Sequence, residues 1–102
     1  MCGRYAASRG PEDLAGIFEI EKWEPEETLA PDYNVAPTND VYAVLSDGST
    51  RVVDAFQWGL IPLWAKDAKI GSKMINARAE TLAEKNAYKS AFKKRRCIIP
   101  AD

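Results

Sequence analysis

Two apolar segments separated by a tight-turn signal place the strongest constraint on the fold of this chain. Residues 41–45 and residues 51–56 are rich in the β-branched and aromatic side chains typical of strands, and Asp47-Gly48 lies between them. An Asp-Gly pair favours a hairpin turn, because glycine tolerates the positive φ angle that such turns require. The sequence therefore predicts an antiparallel β-hairpin.

The other patterns indicate short strands, turns and helices, and together they predict an α+β fold. A helix begins at Pro11, because Leu14, Ile17 and Phe18 recur at the spacing of one helical face. Further strands are predicted over residues 2–6, 74–78 and 97–100, a second helix over residues 81–95, and loops over residues 19–27, 34–39 and 66–73.

Residues 58–64 are too broken by glycine and proline to form a long element, yet they are too apolar for a solvated loop. We expect this segment to pack against the sheet, with Trp58 in the core. We also expect Cys97, which lies within an apolar segment, to be a buried and inert thiol.

The lack of histidine excludes several kinds of site. With no histidine and two cysteines in 102 residues, the chain cannot supply a Ser-His-Asp triad, a Cys-His pair, a histidine zinc site or a four-cysteine zinc site. We expect no metal and no cofactor. No apolar segment has the roughly 20 residues of a membrane span, and the N-terminus has no secretory pattern. These features predict a cytoplasmic protein without a membrane partner and, in bacteria, one associated with the nucleoid.

Charge is distributed unevenly along the chain. Residues 1–65 carry 4 basic and 11 acidic side chains, whereas residues 66–102 carry 10 basic and 4 acidic ones. Such asymmetry is compatible with a nucleic-acid partner and equally with a solvated face of a neutral protein. The final predicted strand begins at Cys97 with little chain after it, which predicts that residues 1–102 are the N-terminal part of a larger domain.

Cys2 directly follows the initiator methionine. Removal of Met1 would leave an α-amine and a thiol on the same residue. An amine of this kind has a pKa of about 8, so part of it is neutral and nucleophilic at cellular pH. The amine forms an imine with an aldehyde, and the thiol then closes a thiazolidine ring. Position alone is weak evidence, since a small residue can occupy position 2 of any protein.

Five motifs occur in an order that strengthens this interpretation. They are Met-Cys-Gly-Arg-Tyr at residues 1–5, Asn-Val-Ala-Pro-Thr at 34–38, Trp-Gly-Leu-Ile-Pro at 58–62, Ile-Asn-Ala-Arg-Ala-Glu-Thr at 75–81, and Arg-Cys-Ile-Ile-Pro-Ala-Asp at 96–102. Together they resemble the SOS response-associated peptidase (SRAP) family, whose members crosslink to abasic sites in single-stranded DNA. The resemblance implies a mixed, largely antiparallel, curved and barrel-like sheet with flanking helices.

The resemblance also implies roles for individual residues. Cys2 corresponds to the residue that forms the thiazolidine with the ring-opened sugar, and Asn76 to the residue that orients the reacting groups. Arg78 is expected on a DNA phosphate. The other positions expected in the DNA channel are Arg4, Asn34, Pro37, Thr38, Asn39 and Trp64, the last four as candidates for separating bases. The partner is then abasic single-stranded DNA, bound by a monomer.

One departure from the family pattern affects the expected activity. In the family, the last motif continues into a segment with a catalytic glutamate, and a catalytic histidine follows much later. This chain ends at Asp102, before either residue. We therefore expect the complete parent protein to carry the activity.

Two other classes of function remain open. An N-terminal-nucleophile amidohydrolase also uses an N-terminal cysteine, with the α-amine as base, and it would release ammonia from glutamine. That class does not explain the motifs at residues 34–38 and 75–81. A non-catalytic single-strand binding module would keep its affinity for undamaged DNA after a Cys2→Ser substitution, and its binding would weaken with salt.

Overall fold

The computed structural model describes residues 2–102, so Met1 and its removal lie outside the described residues. The elements, in chain order, are β1 (Tyr5–Ala7), α1 (Pro11–Ile17), β2 (Lys22–Trp23), β3 (Asp32–Val35), β4 (Asp40–Ser46), β5 (Arg51–Gln57), a 3-10 helix (Ala68–Lys73) and α2 (Lys89–Lys94).

The predicted hairpin supplies two strands of a three-stranded sheet, with β5 in the centre. β4 pairs antiparallel with β5 from Asp40 opposite Gln57 to Ser46 opposite Arg51, and Gly48 takes a φ of 102° in the turn. β2 pairs parallel with β5 on its other side, which makes the sheet mixed. A second sheet consists of β1 antiparallel to β3. The α+β class is confirmed, and the sheets within residues 2–102 do not close into a barrel.

The core consists of two apolar clusters on opposite faces of β4. Successive side chains of a strand point to opposite faces, so Tyr42 and Val44 pack with Leu14 and Val53 on one side. Val53 has no exposed surface. The other cluster contains Val35, Val41 and Trp58, with Tyr5, Ala7 and Ile75 packed against it. Trp58 is therefore a core residue, as predicted.

The strand prediction for residues 74–78 is wrong. The segment is irregular, because its backbone oxygens bond to groups outside any strand: Leu60 N–H donates to Met74 O at 3.0 Å, and the Tyr88 hydroxyl donates to Asn76 O at 3.0 Å. The segment predicted over residues 97–100 is reduced to one bridge, between Ile98 and Val44.

The second helix is much shorter than predicted. Residues 79–84 and 86–88 form turns, and regular α-helix begins only at Lys89. Before it, single helical turns are closed by Lys85 N donating to Thr81 O and Lys89 N donating to Lys85 O, each at 2.9 Å.

Smaller differences concern the ends of other elements. β1 begins at Tyr5 rather than Cys2, the acidic segment predicted as a loop contains β2, and the loop predicted over residues 66–73 contains the 3-10 helix. No helix within residues 2–102 is both long enough and apolar enough to cross a bilayer.

Candidate functional site

The side chain of Asn76 holds both backbone polar groups of Cys2. Cys2 N donates to Asn76 Oδ1 at 3.3 Å, and Asn76 Nδ2 donates to Cys2 O at 2.9 Å. The two residues are 74 positions apart in the chain and both are exposed. A primary amide is suited to this task, since it is a donor and an acceptor at once and carries no charge.

The surrounding core brings the two residues to the same place. Tyr5, three residues after Cys2, pairs with Val35 across the two-stranded sheet and packs edge-to-face on Trp58, with ring centroids 5.3 Å apart. Ile75, next to Asn76, packs against the same cluster. The relative position of Cys2 and Asn76 is therefore determined by their neighbours Tyr5 and Ile75, which both pack against the cluster that contains Trp58.

The side chain of Cys2 turns toward the backbone that leads into β1. Cys2 Sγ donates to the carbonyl oxygen of Arg4 at 3.4 Å, and the thiol is free. The nearby Tyr5 phenol is sealed from solvent and lacks a hydrogen-bond partner within the described chain. Burial raises the pKa of Tyr5, with smaller electrostatic contributions from Cys2 and Asp32, so this group stays a neutral phenol.

The chain is similar in sequence to one known family over its whole length. The family model of the SOS response associated peptidase (SRAP) matches residues 1–102. This chain belongs to the SRAP family. "Abasic site processing protein YoaM" of Bacillus subtilis is 48% identical over 102 residues, which cover 100% of this chain and 45% of that protein.

More distant SRAP relatives agree. "Abasic site processing protein HMCES" of Xenopus tropicalis is 34% identical over 125 residues, covering 100% of this chain and 37% of that protein. A crystal structure of a protein from Bordetella bronchiseptica superposes with a TM-score of 0.73 at 27% identity, over 99% of this chain and 48% of that one. The SRAP chain described here thus spans less than half the length of these relatives.

The predicted base-separating residues Pro37, Thr38 and Asn39 form a tight turn. Asn39 N–H donates to Ala36 O at 3.2 Å, and Thr38 N–H donates to Trp58 O at 2.8 Å. Thr38 has a φ of 76°, which is strained for a β-branched residue, and strain of this kind is concentrated at functional sites. The turn therefore presents Thr38 and Asn39 to solvent from a fixed base on the core.

The remaining predicted DNA contacts are exposed. Arg4 and Asn34 are open to solvent, Trp64 is 62% exposed, and the Arg78 side chain makes a long ion pair of 4.0 Å with Glu80. Trp64 and three lysines line a shallow cavity with a volume of about 290 Å³. The lysines are Lys66, Lys69 and Lys73. Among residues 2–102, neither Trp64 nor Arg78 forms a hydrogen bond or ion pair with Cys2 or Asn76.

The expectation that Cys97 is buried is wrong. The residue is exposed as a whole, because its segment bridges β4 at only one residue and is not covered by a neighbouring strand in residues 2–102. The thiol itself is partly shielded, and this burial raises the pKa of Cys97. In the described part of the chain, no group of three or more His, Cys, Asp or Glu side chains is arranged to hold a metal ion.

The sequence did not indicate two contacts that position the N-terminal strand and Asn76. Asp102 accepts hydrogen bonds from Ser8 N at 2.8 Å and from the Ser8 hydroxyl, and its own N–H donates to Ala6 O at 2.9 Å. Tyr88 contacts the Asn76 carbonyl from the turn before α2. Neither contact has a periodic pattern that sequence could reveal.

Proposed function

We propose that this protein senses abasic sites in single-stranded DNA and captures their aldehyde covalently through Cys2. The observation that carries the proposal is the two-point contact of Asn76 with Cys2, at the one residue where Met1 removal creates an aminothiol. The names of the relatives, which are abasic site processing proteins of bacteria and vertebrates, support the same substrate.

The capture proceeds in two balanced steps. The neutral α-amine of Cys2 adds to the aldehyde carbon of the ring-opened sugar, and loss of one water leaves an imine. The thiol then adds across the C=N bond, with its sulfur bonding to carbon and a proton passing to nitrogen. The product is a five-membered thiazolidine, which needs no oxidant, reductant or cofactor.

Asn76 supports the first step by orienting the nucleophile. With Met1 gone, the Cys2 nitrogen is an amine. Asn76 Oδ1, at its position in the structure, would accept a hydrogen bond from one N–H group of this amine. The bond from Asn76 Nδ2 to Cys2 O restrains rotation of the residue. The nitrogen lone pair is then held in one direction, and such positioning lowers the entropic part of the barrier.

The exposed residues that we assign to DNA contact have the chemistry that a single strand requires. Arg4 and Arg78 provide guanidinium groups, which match phosphate geometry. Trp64 offers a stacking surface for a base, with a contribution of about 1–3 kcal/mol. We assign Asn34 and the Pro37–Asn39 turn to the same channel, where the turn would separate neighbouring bases. The protein would act as a cytoplasmic monomer.

The experiment is a crosslinking assay with single-stranded DNA that carries one abasic site. The Met1-processed, complete parent protein should give a species that survives a denaturing gel, and Cys2→Ala should abolish it. Cys2→Ser keeps the amine but not the thiol, so it should yield an adduct only after reduction of the imine with borohydride. Cys97→Ser is the matched control and should react like the wild type. Equal adduct formation by Cys2→Ala would overturn the proposal, and ammonia release from glutamine would support the amidohydrolase instead.

Peptidase activity would use the same thiol, through attack on the bond that precedes Cys2. The assay is the intact mass of the Cys2→Ala variant. An aminopeptidase removes methionine before alanine as well as before cysteine, whereas self-processing requires the thiol. Retention of Met1 in this variant alone supports self-processing, and its loss contradicts it.

A further inference from the structure

We propose that Tyr88 is a positioning residue for the reaction at Cys2, acting through the backbone carbonyl of Asn76. This inference rests on the proposed function. The Tyr88 hydroxyl donates to Asn76 O at 3.0 Å, and the Asn76 side chain in turn contacts Cys2 N and Cys2 O. The three residues form one continuous hydrogen-bonded chain from the start of α2 to the nucleophile.

Asn76 has little other support on its C-terminal side. The preceding residue, Ile75, is anchored by the Trp58 cluster, but residues 76–78 are exposed and belong to no helix or strand. The next backbone hydrogen bond along the chain is that from Thr81 N to Arg78 O, at 3.2 Å. The Tyr88 hydroxyl therefore fixes the orientation of the peptide that links Asn76 to Ala77.

Tyr88 is itself held firmly. Its N–H donates to Lys85 O at 3.0 Å, and its carbonyl accepts from Phe92 N at 2.8 Å as α2 begins. Its ring is half-buried. A hydroxyl at the end of a rigid ring on a fixed backbone is a fixed donor, so a rotation of the Asn76 peptide would break the bond.

The orientation of this peptide matters because Asn76 must contact two atoms of Cys2 at once. Its two Cys2 bonds, at 3.3 and 2.9 Å, require the amide plane to lie along the Cys2 backbone. The bond from Tyr88 restrains the Asn76 carbonyl and with it the Asn76 Cα, and a shift of this Cα would move Oδ1 and Nδ2 together. We therefore expect loss of the Tyr88 hydroxyl to reduce the fraction of molecules in which the amine is correctly oriented, without a direct effect on DNA binding.

The test compares Tyr88→Phe with Tyr42→Phe in the Met1-processed protein. Tyr42, in the other core cluster, is a matched control, because its hydroxyl also makes one hydrogen bond, which it accepts from Leu29 N–H at 2.6 Å. Crosslinking rates are measured over a range of abasic-DNA concentrations, which separates the maximal rate from the half-saturating concentration. Loss of one hydrogen bond should lower the maximal rate of Tyr88→Phe about two- to tenfold and leave half-saturation unchanged. Tyr42→Phe should keep the wild-type maximal rate.

A second readout does not depend on DNA. The side-chain amide of Asn76 is observed by NMR, and the rate of thiazolidine formation is measured with acetaldehyde. Tyr88→Phe should shift the Asn76 amide resonances and slow the aldehyde reaction, whereas Tyr42→Phe should do neither.

The outcomes separate this inference from the proposed function. If wild type and Tyr88→Phe crosslink at equal maximal rates, or if only half-saturation changes, Tyr88 does not position the nucleophile. If the wild type fails to crosslink DNA, the proposed function is wrong and the NMR and acetaldehyde measurements decide the inference alone. Unchanged Asn76 resonances with an unchanged acetaldehyde rate would then overturn it.

Discussion

The backbones at Gly59 and Gly71 pass so close to each other that Gly71 leaves no room for a side chain at position 59. A Cβ atom there would lie 2.3 Å from the carbonyl oxygen of Gly71, and Gly59 takes a φ of 131°. The crossing packs the 3-10 helix against the segment that follows Trp58. Since Leu60 N–H then bonds to Met74 O, the same crossing sets the start of the segment that carries Asn76.

Gly59→Ala should therefore destabilise the protein by about 2–3 kcal/mol, because an alanine at this φ is strained and the clash is with backbone. Urea unfolding followed by circular dichroism measures the change. Gly16→Ala is the control: Gly16 lies in α1 with nothing within 4 Å of its added Cβ, so stability should stay the same or rise by up to about 1 kcal/mol. Equal stabilities of the two variants would contradict the argument.

Local sequence signals were sufficient for the hairpin, for the start of α1 and for the burial of Trp58, but the prediction that Ile17 faces the core is wrong, since Ile17 is 56% exposed. Asp47-Gly48 determines the turn, and Leu14 at the helical spacing becomes the buried residue of α1. The signals failed where a segment depends on distant partners. Residues 74–78 are apolar enough for a strand, but Leu60 and Tyr88 take the Met74 and Asn76 oxygens that a neighbouring strand would need.

The candidate site was predictable only where its residues belong to a sequence motif. The motif resemblance predicted both Cys2 and Asn76 as site residues, and in the structure the two are in direct contact. Tyr88 and Asp102 could not be assigned from sequence, since a bond between one side chain and a distant backbone atom leaves no periodic pattern.

Two substitutions of Asn76 should separate the effect of its hydrogen bonds to Cys2 from the effect of its lack of charge. Asn76→Ala removes both bonds to Cys2, so crosslinking should slow by about one to two orders of magnitude. Asn76→Asp keeps an acceptor for the amine but places a negative charge beside it, which raises the amine pKa and leaves less neutral nucleophile at pH 7.

Crosslinking rates measured between pH 6 and 9 test this difference. The Asn76→Asp profile should shift to higher pH and recover part of the rate there, whereas Asn76→Ala should stay slow throughout. Parallel pH profiles for the two variants would show that the amide does not act on the Cys2 nitrogen.

Acid should weaken the contact between Ser8 and Asp102. Hydrogen bonds from the Ser8 hydroxyl and the Ser8 N–H, with a smaller contribution from Arg9, lower the pKa of Asp102 below its ordinary 3.8. A carboxylate whose pKa is lowered on folding stabilises the folded state above its unfolded pKa, and this contribution disappears as pH falls through the folded value.

Thermal unfolding of the wild type and Asp102→Asn between pH 2.5 and 7 measures this effect. The wild type should be more stable near neutrality, and the difference should shrink only below about pH 4, toward the lowered pKa. Ser8→Ala should reduce the difference in thermal stability between proteins with Asp and with Asn at position 102. A difference that is constant over the whole pH range would rule out the ionised contact.

The two cysteines should differ in chemistry because their surroundings differ. Partial burial raises the pKa of Cys97, so less of this thiol is ionised near neutral pH, and the thiolate is the reactive form. Iodoacetamide at pH 7.5 should therefore alkylate Cys97 more slowly than a cysteine in an unstructured peptide, and unfolding in urea should remove the difference. Mass spectrometry of the digested protein gives the rate at each cysteine. Because Cys97 is not the nucleophile of the proposed reaction, Cys97→Ser should crosslink through Cys2 at the wild-type rate, and a lost crosslink in this variant would place that thiol in the reaction.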